Sequence, residues 1–101
     1  MNAQFTYVIE NTFQSDAQVT QAITNASNRF QVVAESYNMI YVGYTLTIVG
    51  TTVTVVVTAT LPADIAAMPI NLRTAQILGV FKGTIQMYAT TMPIVETIIY
   101  V

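Results

Sequence analysis

The side chains that could carry acid–base chemistry are five carboxylates: Glu10, Asp16, Glu35, Asp64 and Glu96. A general acid and its base would need two of them in one cleft. Their positions suggest separate structural duties. Asp16 stands where a helix would begin, Glu35 where it would end, Asp64 just after Pro62, and Glu10 and Glu96 at outward strand positions. The three serines, Ser15, Ser27 and Ser36, lie in no G-x-S-x-G turn, so no activated nucleophile is indicated. The chain has no Cys and no His, which excludes thiolate chemistry, imidazole relays, disulfides and the usual zinc ligands. Four isolated Gly form no phosphate-cradling loop. The expectation is a non-enzymatic protein with no catalytic, cofactor-binding or metal site.

Three cations, Arg29, Arg73 and Lys82, are too few for a nucleic-acid footprint. Charged residues make up only 8% of the 101 residues and hydrophobic ones 53%, where about 25% charged is ordinary. Ser36 to Ala63 is a stretch of 28 uncharged residues, long enough for a membrane helix. Its Thr and Val residues alternate with period two, which indicates strands instead. No membrane span is expected, and the start Met1-Asn2-Ala3-Gln4 has no secretory pattern.

The elements follow from periodicity. Gln4 to Phe13 alternates as a half-buried strand, with Phe5, Tyr7 and Ile9 on one face. Ser15-Asp16-Ala17-Gln18 reads as a capping box. Val19, Ala22, Ile23, Ala26, Phe30, Val33 and Ala34 then form the stripe of a helix ending near Glu35 or Ser36. A hairpin follows, turning around Val49-Gly50-Thr51. Ile40, Val42, Tyr44, Leu46 and Ile48 are expected on one face of its first strand, and Val53, Val55, Val57, Ala59 and Leu61 on one face of the second. A short helical turn is expected over residues 63–67, after which Pro69 should break any longer helix. Residues 70–82 fit a helix about as well as a strand, and the spacing is read here as strand or irregular. Further strands are expected over 84–90 and 94–101. The fold class is α+β: an antiparallel sheet of five to six strands with one long amphipathic helix packed on it, in a single domain over residues 1–101. If residues 70–82 are helical, the order becomes a ferredoxin-like βαββαβ.

So little charge leaves an exterior of Thr, Asn, Gln, Tyr and aliphatic groups. Strand edges then lack the Lys residues that normally block pairing. Burial against copies of itself is the expectation, since obligate interfaces are poor in charge. Tyr41, Thr45, Thr47, Thr52, Thr54, Thr58, Thr60 and Tyr88 fall opposite the core faces and are the candidate subunit contacts. A neutral solvent face is the simpler use of such threonines, and an ice-binding hydroxyl array is a third reading.

Three stretches share a cadence: Gly50 to Pro62, then Gly83-Thr84-Ile85-Gln86-Met87, then Thr97-Ile98-Ile99-Tyr100-Val101. That cadence resembles the β-structured head domains at the tips of phage tail fibres. The resemblance covers the C-terminal half and implies a trimeric, receptor-binding β-fold. The strand–helix unit over residues 4–36 is not part of that pattern, and no binding residues are carried over. The sequence therefore points to a structural or assembly protein of a virion (coat, tail or accessory part) or an extracellular polymer, cytoplasmic before assembly. Its partners would be copies of itself and other structural proteins of the particle. The alternative is a small ferredoxin-like module that dimerises and holds a small ligand or peptide.

Overall fold

The computed structural model describes residues 1–11, 15–81 and 94–101. The order is β1 (Asn2–Glu10), α1 (Asp16–Ser36), β2 (Ile40–Val49), β3 (Thr52–Thr60), α2 (Ala63–Ala66), α3 (Ile70–Phe81) and β4 (Ile94–Tyr100). The described strands form one four-stranded antiparallel sheet in the order β2-β3-β1-β4. This is the ferredoxin-like arrangement. The first strand runs over Asn2–Glu10, earlier than the expected Gln4 to Phe13.

Each end of α1 is fixed by local chemistry. The Ser15 hydroxyl accepts from the Gln18 amide at 3.2 Å, and the Gln18 side chain accepts from the Ser15 amide at 2.9 Å. These two bonds complete the capping box. At the other end Asn38 takes φ +61°. The Asn38 amide then donates to Glu35 O and the Met39 amide to Ala34 O, which is a Schellman closure with Asn in the left-handed position. Met39 is buried beyond it.

Val19, Ile23, Ala26, Phe30 and Ala34 of α1 are buried together with Ala3, Phe5, Tyr7 and Ile9 of β1 and Val53, Val55, Val57 and Ala59 of β3. The Phe5 and Phe30 rings meet edge to face, with centroids 5.0 Å apart. The β2–β3 connection is the two residues Gly50-Thr51, with Gly50 at φ +61°. Gly in the first central position suits the type II′ hairpin turn.

The expected five to six strands become four among the described residues. Residues 70–81 are helical, so the reading as strand is corrected. No helix runs through Pro69, as expected: α2 ends before it and α3 begins directly after it. The Pro69 carbonyl accepts from the Arg73 amide at 2.9 Å, and at a helix start a missing N–H loses no bond. Ile77 fixes the helix by full burial in the core. The strand expected over 84–90 lies outside the described residues.

Candidate functional site

Strand alternation gives the sheet two unlike faces. One carries the core under α1. No described element covers the other. On this open face, cross-strand rows are set by register. Thr45, Val56, Thr6 and Thr97 form one row; Thr47, Thr54, Val8 and Val95 form the next. Glu10 is the only charged side chain on this face among the described residues. Its carboxylate accepts from the Thr51 and Thr52 hydroxyls at 3.2 and 2.9 Å. Thr60 donates to the Asn2 side chain at 2.7 Å.

The candidate contacts therefore divide. Thr45, Thr47, Thr52, Thr54, Thr58 and Thr60 share the open face, with Thr52 and Thr60 already bonded within the chain. Tyr41 is on the core side. Its ring packs against Phe30, with centroids 6.4 Å apart, and its hydroxyl is hydrogen-bonded to the buried Ser27. Tyr88 lies outside the described residues.

A β-bulge explains the misplacement of Tyr41. The β2–β3 register shifts between Tyr41 and Gly43, and Gly43 has φ +154°, which side chains rarely adopt. Tyr41 and Tyr44 are an odd number of residues apart, so a regular strand would send them to opposite faces. The extra residue brings both to α1, where Tyr44 is bonded to Thr24 at 3.1 Å. Thr24 and Ser27 stand one helical turn apart and receive the two tyrosines as a pair. The same bulge leaves Ile40 and Val42 exposed on the open face, contrary to the core face expected for them. Gly43 was the available signal, because an isolated Gly in a strand pattern marks a bulge.

The face also has an apolar share. Val56 interrupts the Thr row of β3, and Val95 and Ile99 project from β4. At the bulge the face carries an open hollow of about 350 Å³, lined by Gln4, Val42, Gly43, Tyr44, Thr45, Val56 and Thr58.

On the opposite side, β4 is tied to α3. Tyr100 shares a 2.8 Å hydrogen bond with Thr74, and the Arg73 guanidinium lies 4.7 Å over the Tyr100 ring. Arg73 also donates to the carbonyls of Ala66 and Met68. Its bonds bind α2 to α3, and no ligand is needed to account for them. Tyr7 is 1% exposed and its hydroxyl has no hydrogen-bond partner among the described residues. Burial, and secondarily the charge of Glu96, hold this phenol far above its ordinary pKa. Partial loss of water raises the Glu96 carboxyl. The carboxylates do not gather: no group of three or more Asp or Glu that could hold a metal occurs among the described residues. No helix among them is long and apolar enough to cross a membrane.

No family model matches the chain, and no curated protein is similar to it in sequence. Among solved structures, a de novo designed protein with a ferredoxin fold, determined by solution NMR, superposes with a TM-score of 0.56. The match is 14% identical and covers 100% of this chain and 88% of that one. The likeness is one of fold: a ferredoxin-like α+β sandwich with both main helices on one side of the sheet.

Proposed function

We propose that this chain is a non-enzymatic structural or assembly subunit that associates with copies of itself through the open face of its sheet. The observation that supports this reading most is the face itself. Among the described residues it is a surface of Thr, Val and Ile with a single carboxylate, and no described helix covers it. Ile40, Val42, Val49, Val95 and Ile99 are exposed along its two edge strands. Apolar area of this kind gains by leaving water, and threonine hydroxyls tolerate burial when they can bond across an interface. Strand β2 carries no charge that would repel another strand at its edge. Composition and the Gly50-to-Val101 cadence suit a virion part or an extracellular polymer. Within that cadence Thr52–Thr60 forms β3 and Ile94–Tyr100 forms β4, while Gly83 to Met87 lies outside the described residues.

Size-exclusion chromatography with light scattering on the full chain at low concentration tests the proposal. A discrete dimer or larger assembly is expected. A stable, soluble monomer would overturn it. A second reading, the small ferredoxin-like binding module, is favoured by the hollow at Gly43. It requires a small molecule or peptide to protect Val42 and Thr58 from labelling while the assembly state stays unchanged.

A further inference from the structure

We infer that a second copy of this chain covers the open face about a two-fold axis running along the strands, seating Ile99 of each subunit in the Gly43 hollow of the other. This rests on the self-association proposed above and specifies its geometry. The hollow and the side chain that would fill it occupy the same cross-strand row. Gly43 pairs with Thr58, Thr58 with Gln4 through the β1–β3 register, and Gln4 with Ile99. Gly43 is on one edge strand and Ile99 on the other. A two-fold axis along the strands exchanges the two edges and keeps each row at its height. The partner's Ile99 therefore arrives over Gly43, and the reverse contact follows by symmetry. Ile99 is 54% exposed and has apolar surface to bury.

The remaining rows agree with this axis. Thr45 would meet the partner's Thr97, and Thr54 the partner's Val8. Glu10 shares its row with Thr52, so each carboxylate would face the partner's Thr52 hydroxyl and not a second carboxylate. An axis across the strands would set β2 over β2 and carry the partner's Ile99 away from the hollow. Stacked sheets about 10 Å apart leave room for one layer of interlocked side chains.

Cysteine pairs test the packing on a background that has no Cys. Val42 and Ile99 are both exposed, so V42C/I99C should fold. Three strand spacings, roughly 14 Å, separate them within one chain, and a disulfide needs Cα atoms within about 7 Å. Any bridge must therefore join two copies. Under mild oxidation V42C/I99C should give a covalent dimer at least about tenfold faster than V42C/V95C, which sits off the row by roughly 13 Å along the strand. I99A should weaken association by about tenfold or more. If light scattering shows assembly but the two pairs cross-link at equal rates, this packing is wrong and self-association stands. If the chain is monomeric, both fall.

Discussion

Two tyrosines make opposite use of their hydroxyls, and that contrast can be measured. The Tyr41 hydroxyl satisfies Ser27 in the core; the Tyr7 hydroxyl is buried with no partner among the described residues. Removing one member of a buried bond costs about 1–3 kcal/mol, whereas deleting an unpaired group is close to neutral or stabilising. Tyr41→Phe should therefore lower the urea midpoint by that amount, while Tyr7→Phe should leave it unchanged or raise it. Equal losses for both would contradict the assignment. Glu96 gives a pH signature. Its carboxyl is raised in the folded state, so its contribution is fully present below the ordinary Glu pKa of about 4.3 and is lost as pH rises through the folded value. The stability of wild type relative to E96Q should improve on going from pH 7 to pH 4. The effect is small, because Glu96 keeps contact with solvent. A difference that moved the other way would remove the desolvation argument. Tyr7 follows the same sign: its contribution holds below the ordinary phenol pKa of about 10 and is lost above it.

At the scale of elements, most of the architecture is legible in local chemistry. Ser15 and Gln18 announce the start of α1, and Gly50 the hairpin turn, because each supplies a bond or a φ that the backbone demands at that place. The face of β3 is legible because Val53, Val55, Val57, Ala59 and Leu61 keep strict alternation. Two features resist this reading. A helix over residues 70–81 and a buried strand share a short apolar pattern, and only packing of Ile77 into the core distinguishes them. The bulge in β2 resists it because one inserted residue reverses the face of everything before it. That single shift reverses the faces that alternation predicts for Ile40, Tyr41 and Val42. The bulge depends on Gly43. A Cβ there would meet nothing within 4 Å, so the cost of Gly43→Ala lies in φ alone, about 1–3 kcal/mol. The urea midpoint should fall accordingly. No change would show that the bulge does not need glycine.

For the whole molecule, charge is scarce everywhere, yet the two sides of the sandwich differ in kind. The helix side carries Asp16, Arg29, Glu35, Asp64, Arg73 and Glu96; among the described residues the open face carries Glu10 alone. The open face was partly legible in the Thr positions, since Thr45, Thr47, Thr52, Thr54, Thr58 and Thr60 do share it. Of its apolar component, Val56 follows from the alternation of β3, whereas Val8, Val95 and Ile99 come beside the threonines only through the register of β1 and β4. One lysine at the centre of this face should be tolerated by the fold and rejected by an interface. Thr54 is the position for it, and Val32, exposed on α1, is the matched control. Sedimentation equilibrium of T54K and V32K, with circular dichroism to confirm folding, tests the central claim most directly. T54K should sediment as a folded monomer and V32K as the wild-type assembly. If the two variants assemble alike, the open face is not where the subunits meet.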